Sequence, residues 1–157
     1  MDNYLKILEE SLIKKLQLLT KIEEFNEAQR QVFEAENVEI DKFDEYIEEK
    51  EKLIEQVLHI DDGFETLYAN VSGELQNNKD KYAGHITNLK ELVRLVTEKH
   101  VVVQTQEARN KALVEAYFSK EKKQIGQGRR SSTVAYNYYA NVNKAAQAQP
   151  RFLDSRQ

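Results

Sequence analysis

The longest uninterrupted helical pattern in the sequence lies between Ile86 and Tyr117. Side chains that recur there every three or four residues fall on one face of an α-helix. This stripe reads Ile86, Leu89, Val93, Val96, His100, Val103, Glu107, Asn110, Val114 and Tyr117. Its first half is apolar and its second half is largely polar. The pattern requires a long helix, and it predicts that residues 103–118 face something other than the protein's own interior.

The scarcity of turn-forming residues also favours long helices. The single proline, Pro150, lies near the end of the chain, and only five glycines are present among 157 residues. A charged fraction of 32% suits one domain of amphipathic helices. The sequence contains no cysteine, no apolar run of membrane-spanning length and no signal-peptide pattern. We therefore expect a cytoplasmic protein without disulfides and without membrane insertion.

Two helices are predicted before the turn-forming sequence at residues 59–63. The first begins with Asp2 or Asn3 as its cap, carries a leucine-rich seam and ends near Ala35. Asn37 is a suitable cap for the second helix, which extends to about Leu58. Both helices show the apolar spacing of a bundle seam.

The sequence between the second helix and the last one is less regular. Residues 59–63 read as a turn, and residues 64–75 then predict a short amphipathic helix. Residues 77–80 are compatible with either a break or a continuous join. The last long helix reaches about Lys123 and stops before Gly126. The fold class predicted for residues 1–124 is all-α: an elongated antiparallel bundle of three long helices plus a short one.

Residues 125–157 differ in composition from the bundle and are predicted to form a C-terminal tail. This segment contains Gly-Gln-Gly, two arginines, a tyrosine cluster and an Ala/Gln/Asn-rich run. Ser132 can cap a short helix that ends near Asn143. We expect the tail to be flexible in the free protein or to dock on a partner.

No arrangement of residues in the sequence indicates catalysis or a cofactor. His85 and His100 are separated by roughly 22 Å along one helix, so they cannot share a metal ion. His59 lies in the predicted turn, and none of the three histidines belongs to the Glu-x-x-His pattern of a di-iron bundle. Ser131 and Ser132 lack the turn of a nucleophile elbow. We predict a protein that is not an enzyme and that binds no cofactor or metal.

Nucleic-acid binding has weak support from the tail. Arg129 and Arg130, together with Tyr136, Tyr138 and Tyr139, combine cations with stacking surfaces. The whole chain, however, carries a net charge of −4, and two adjacent arginines make a small basic patch. We therefore predict no nucleic-acid partner. Nucleic-acid binding is kept only as the third function, after the two partner-binding ones given below.

A partner-binding surface is the function that the late helix favours. Polar positions set among apolar ones suit a groove in which a partner helix packs and is oriented by a few hydrogen bonds. The predicted partner-binding residues are Val103, Glu107, Asn110, Leu113, Val114, Tyr117 and Phe118. The alternative is that the polar positions face solvent where the bundle has ended.

Three segments resemble the FlgN-type flagellar export chaperones of bacteria. They are the leucine-rich first helix, the Lys50-Glu51-Lys52-Leu53-Ile54 string after the turn at Asn37, and the segment Glu107-Ala108-Arg109-Asn110-Lys111-Ala112-Leu113. The resemblance covers roughly residues 3–118 and lies in pattern more than in a signature. The Gly-Gln-Gly-Arg-Arg junction and the tyrosine-rich tail depart from the family pattern.

This resemblance implies a cytoplasmic chaperone that binds the C-terminal helical segment of hook–filament junction subunits. Such a chaperone prevents premature assembly and brings its clients to the export apparatus. By the same resemblance, residues 103–118 would bind the client and Asn110 would orient it. Lys50 would contribute to the stability of the bundle or to docking. The alternative function is a structural coiled-coil adaptor or homodimer, in which the polar positions set the register.

Overall fold

The computed structural model describes residues 1–121 and 134–142, and all regular structure in these ranges is helical. Helix α1 spans Asp2–Glu34, α2 spans Ile40–Asn77 and α3 spans Ala83–Glu121. A short helix, α4, spans residues 134–142. The predicted all-α fold with three long helices plus a short one is confirmed. The predicted stop at Gly126 lies outside the described residues.

Helices α1 and α2 form an antiparallel hairpin. The ammonium of Lys15 donates to Asp61 at 2.7 Å, and the side-chain amide of Gln29 donates to the carbonyl of Phe43 at 3.0 Å. Residue numbers therefore rise along α1 while those of the opposing residues fall along α2. The chain between the two helices reverses direction at residues 35–39, where Ala35 has extended backbone angles.

Helix α3 runs parallel to α1. A ring nitrogen of His85 lies 3.0 Å from Glu9, and the side-chain amide of Asn110 donates to the carbonyl of Asn26 at 2.9 Å. Helix α1 packs against both α2 and α3, whereas α2 and α3 are set further apart from each other. A groove therefore lies between α2 and α3, with α1 as its floor.

The predicted turn at residues 59–63 is wrong, because α2 is continuous through it for 38 residues. Apolar side chains keep the helical spacing across this sequence, and Phe64, Tyr68, Val71 and Leu75 are buried in the core. Asp61 remains in the helix as the partner of Lys15. The short helix predicted at residues 64–75 is thus the second half of α2, and the short helix of the fold is α4.

The outlines of α1 and α3 agree with the predicted ones, while the predicted caps do not form. Met1 and Glu39 take the N-cap positions of α1 and α2, and neither makes a side-chain capping hydrogen bond. Residues 78–82 form a turn between α2 and α3, so the sequence at residues 77–80 is a helix break and not a continuous join. At a rise of ~1.5 Å per residue, α2 is about 57 Å long, so the bundle is elongated as expected.

Two apolar clusters form the core, one at each end of the bundle. The first cluster comes from the first two-thirds of α1, the second half of α2 and the first half of α3, and includes Leu5, Leu8, Ile22, Phe64 and Leu89. The second cluster lies at the other end and includes a contribution from α4. It consists of Val32, Phe43, Ile47, Val114, Ala135, Tyr138 and Tyr139. The polar side chains described next lie between these clusters in sequence on all three long helices.

Candidate functional site

A group of buried polar side chains, here called the polar layer, connects the three long helices. Its members are Asn26 and Gln29 on α1, Lys50 on α2, and Glu107 and Asn110 on α3. Each occupies a position where helical periodicity calls for a core residue. None is more than 4% exposed, so any hydrogen bonds of these side chains are made inside the protein, and Gln29 Oε1 and Glu107 Oε2 have no partner among the described residues.

Lys50 is the centre of the polar layer. Its ammonium donates to the side-chain carbonyl oxygen of Asn26 at 2.7 Å and to Glu107 Oε1 at 2.6 Å. The side chain of Lys50 is completely buried and that of Glu107 is nearly so. The ion pair thus spans the α2–α3 groove above α1. Removing either charge would leave the other buried without its partner.

Two backbone carbonyls receive hydrogen bonds from the other members of the layer. Asn110 donates to the carbonyl of Asn26, and Gln29 donates to the carbonyl of Phe43. These bonds join α3 to α1 and α1 to α2. Asn110 thus makes a contact within the bundle, and its predicted role in orienting a client stays a prediction.

Burial changes the ionisation of the groups around Lys50. Desolvation lowers the pKa of Lys50 to about 8, and the carboxylate of Glu107 opposes this fall. Burial raises the pKa of Tyr138 well above its usual value, and the nearby Glu107 carboxylate raises it further. Tyr139 has a raised pKa for the same reason, desolvation first and Glu107 second. Both phenols therefore remain neutral over the range in which Lys50 titrates.

Helix α4 covers the polar layer from the groove side. The ring of Tyr138 lies over the Lys50 ammonium, 4.3 Å from nitrogen to ring centroid, which is a cation–π contact. Ala135, Tyr138 and Tyr139 are buried, whereas Tyr136 on the opposite face is 76% exposed. Helix α4 is thus an amphipathic helix seated in the α2–α3 groove.

The fit between α4 and the groove is incomplete. A cavity of about 60 Å³ remains beneath it, lined by Lys15, His100, Glu107, Tyr138 and Val142 among others. Glu107 Oε2, His100 Nε2 and the hydroxyls of Tyr138 and Tyr139 are buried without a hydrogen-bond partner among the described residues. The Tyr138 hydroxyl is near enough to Glu107 for a hydrogen-bonding contribution to its raised pKa, but its geometry does not complete a hydrogen bond with the carboxylate.

The structure brings the predicted partner-binding residues together at this end of the bundle. Val103, Glu107, Asn110 and Val114 are buried. Leu113, Tyr117 and Phe118 are partly exposed. The expectation that the polar positions face away from the chain's own interior is wrong for Glu107 and Asn110, because Lys50 and Asn26 supply matching polar partners inside the bundle.

The apolar first half of the α3 stripe packs inside the bundle as expected. Leu89 and Val96 are buried in the first cluster, and Ile86 and Val93 pack against it. His100 follows this half and lines the cavity beneath α4 together with Glu107; burial lowers its pKa, with the positive charge of Lys15 adding to the effect.

Sequence reasoning missed Asn26 and Gln29 as members of the site. On α1 the buried face continues from Ile22 through Asn26 and Gln29, and a leucine-rich seam does not by itself indicate these two amide side chains. A signal was available in the sequence. Each long helix carries polar residues at core positions, near the end of α1, near the start of α2 and near the end of α3, and these parts lie side by side when neighbouring helices alternate in direction. Polar core positions on adjacent helices that share one level predict a common network.

Part of the predicted tail docks on the bundle of its own chain. Residues 134–142 form α4, close to the short helix expected between Ser132 and Asn143. Burial of Tyr138 and Tyr139 leaves only Tyr136 of the tyrosine cluster as an exposed stacking surface in this arrangement. Arg129, Arg130 and the remaining tail residues lie outside the described ranges.

Among residues 1–121 and 134–142, no three His, Cys, Asp or Glu side chains are grouped as metal ligands. None of the described helices has the apolar length needed to cross a bilayer.

The fold and the site together define a helical bundle in which a buried ion pair lies beneath a short amphipathic helix seated in a groove. No protein-family model, curated protein or solved structure matches the chain.

Proposed function

We propose that this protein is a cytoplasmic, non-catalytic flagellar export chaperone. It binds the C-terminal helical segment of hook–filament junction subunits, prevents their premature assembly and delivers them for secretion. The client's amphipathic helix packs in the α2–α3 groove beside the polar layer. Binding requires no cofactor, because the client's own assembly surface is blocked by occupancy alone.

The observation that carries this proposal is α4 itself. An amphipathic helix is seated in the groove, with Tyr138 over Lys50 and with Ala135 and Tyr139 in the second cluster. Helix-in-groove recognition uses anchors at this helical spacing. The groove thus holds an amphipathic helix of this chain beside apolar walls and over a polar centre, which supports the proposal that a client helix binds there. The client class comes from the resemblance in sequence pattern.

The test is to co-express the protein with hook–filament junction subunits of the same bacterium and to purify through a tag on the client. We expect a stable complex with one client. A double variant, Lys50→Met with Glu107→Leu, replaces the buried ion pair by apolar side chains of similar size, which bundles tolerate. Its affinity for the client should fall at least tenfold in calorimetric titration, because the polar centre of the groove is gone.

The matched control removes an exposed ion pair from α3, the helix that carries Glu107. This control is the double variant Arg94→Gln with Glu98→Gln. It should bind the client as the unaltered protein does. Equal binding by the Lys50–Glu107 variant would show that the client uses another surface. Failure of every junction subunit to bind, together with a stable dimer in light scattering, would favour the structural adaptor.

A further inference from the structure

We propose that α4 is a built-in competitor for the client groove and that its buried face describes the helix that replaces it. The inference rests on the proposed function for the identity of the client, but the exchange of α4 can be tested without any client. Helix α4 would cover the polar layer in the free protein and would dissociate from the groove when a helix of higher affinity binds.

The first argument is the size of α4 relative to its neighbours. It spans only residues 134–142, whereas α1, α2 and α3 contain 33, 38 and 39 residues. Isolated helices shorter than roughly 12–15 residues are marginal in water, so α4 depends on its contacts with the groove. Those contacts come mainly from Ala135, Tyr138 and Tyr139. The long helices instead hold one another along most of the bundle.

The second argument is the incomplete match between α4 and the groove. Glu107 Oε2 accepts no hydrogen bond, and the Tyr138 and Tyr139 hydroxyls donate none among the described residues. The cavity beneath Tyr138 and Val142 adds unfilled space to the same contact. Buried polar atoms without partners and empty space both reduce the stability of a contact. A helix that donates to Glu107 and fills this cavity would bind more tightly than α4.

The buried face of α4 gives the chemistry of that helix. Ala135, Tyr138, Tyr139 and Val142 stand at positions i, i+3, i+4 and i+7. A small residue at the first position allows close approach, and an aromatic ring at the second lies over the Lys50 ammonium. The replacing helix should therefore carry a small residue, an aromatic pair and a β-branched residue at this spacing, with a hydrogen-bond donor directed at Glu107.

Two variants of the full chain test the exchange. Tyr138→Ser removes the ring over Lys50 and should loosen α4, whereas Tyr136→Ser changes an exposed tyrosine on the other face of the same helix. The probe is a labelled synthetic peptide of residues 131–145. Because the groove is occupied for most of the time in the unaltered protein, the apparent Kd for the peptide is raised by the inverse of the vacant fraction.

The Tyr138→Ser protein should bind the peptide at least tenfold more tightly than the unaltered protein does, as measured by fluorescence anisotropy. The Tyr136→Ser protein should match the unaltered one. A peptide that itself carries Tyr138→Ser should bind at least tenfold more weakly than the natural peptide. Equal binding by all three proteins, or no binding by any of them, would overturn the proposal and make α4 a permanent fourth helix.

Hydrogen exchange on the unaltered protein gives a second measurement that needs no variant. The amides of residues 134–142 should exchange at least tenfold faster than those of Phe43–Leu53 on α2. Equal protection of the two segments would also overturn the exchange of α4.

The outcomes separate this inference from the proposed function. Success with the peptide and failure of every client would reject the chaperone function and leave the exchange intact. A client complex whose affinity does not respond to Tyr138→Ser would reject α4 as the competitor and leave the chaperone function intact.

Discussion

The core of the bundle is apolar in one part and contains buried polar and charged side chains in another. At one end, leucines and aromatic residues of α1, α2 and α3 make the first cluster, and the three helices suffice to bury them. Towards the other end, between the first and second clusters, Lys50, Glu107 and their amide partners occupy core positions, and a fourth helix covers them. The same three helices therefore form a sealed apolar seam by themselves over part of their length, and need α4 to cover a polar layer further along.

The comparison suggests a division between stability and recognition. Apolar burial contributes stability in proportion to area and without regard to direction. A buried ion pair contributes little net stability, because the loss of solvation opposes the attraction of the charges. It does, however, favour one register and one set of partners. The first end would hold the bundle together, and the second would decide what binds.

The largest expected effect comes from separating the Lys50–Glu107 pair. Lys50→Ala leaves Glu107 buried and unpaired, which should destabilise the protein by ~3–5 kcal/mol. The double variant Lys50→Met with Glu107→Leu should be clearly less destabilised, because it leaves no unpaired charge and only the Asn26 side-chain oxygen loses its donor. Urea unfolding of Lys50→Ala and of the double variant measures both. A double variant as unstable as Lys50→Ala would contradict the account of the pair.

Truncation in the first cluster should be nearly as severe and should have no such rescue. Leu8 is fully buried, so Leu8→Ala removes apolar contacts and leaves a cavity, at a loss of ~2–5 kcal/mol. Ile7→Ala is the matched control, because Ile7 is 48% exposed and should change stability by less than about 0.5 kcal/mol. Thermal and urea unfolding measure both variants. Similar losses at the two positions would be incompatible with a sealed seam.

The two ends should also differ in their response to pH. Burial lowers the pKa of Lys50 from 10.5 to about 8. Between these values the unfolded chain binds more protons than the native protein, so stability rises with pH in this window. The gain from pH 7 to pH 9 should be about 1 kcal/mol. The groups that face Lys50 are Glu107 on α3 and Tyr138 on α4, and the phenol stays neutral there because its pKa is raised.

Urea unfolding at a series of pH values between 7 and 9 checks this expectation. The gain should disappear in the Lys50→Met, Glu107→Leu variant, which retains every other titrating group. A gain of the same size in both proteins would assign it to a group outside the polar layer.

The smallest expected effect concerns the part of α2 that packs on the first cluster. Gly63 lies within the helix, and a Cβ atom added there meets no atom within 4 Å. Gly63→Ala should therefore stabilise the protein by about 0.5–1 kcal/mol, through helix propensity and a less disordered unfolded chain. The matched variant Gly73→Ala should behave alike. Thermal unfolding that shows a loss for Gly63→Ala would indicate that α2 needs this glycine.

Periodicity within a helix predicted more of this molecule than did local turn propensity. Glu107 and Asn110 stood out because they interrupt an apolar stripe, Lys50 was named only by the family resemblance, and all three are in the polar layer. The turn predicted at residues 59–63 failed because the apolar face continues through it and the core keeps α2 helical. A turn-forming sequence stays helical when the packing of the residues on both sides of it requires one continuous helix.

The missing part of the site depended on the register between helices. Asn26 lies at the level of Lys50 and Asn110 only after α1 has packed against both α2 and α3. A single sequence carries the spacing along each helix and no direct measure of the offset between helices. For the same reason the sequence located the polar half of α3 but assigned it to the outside of the bundle.

The parallel pairing of α1 with α3 bears on how the chain folds as it is synthesised. Glu9 and His85 are 76 residues apart, and Asn26 and Asn110 are 84 residues apart. At a synthesis rate of roughly 5–20 residues per second, α1 waits on the order of ten seconds for α3 to be made. During that interval the α1–α2 hairpin can form, while the leucines destined for α3 stay uncovered. The nascent chain is thus itself a protein with an exposed apolar face that needs protection from aggregation.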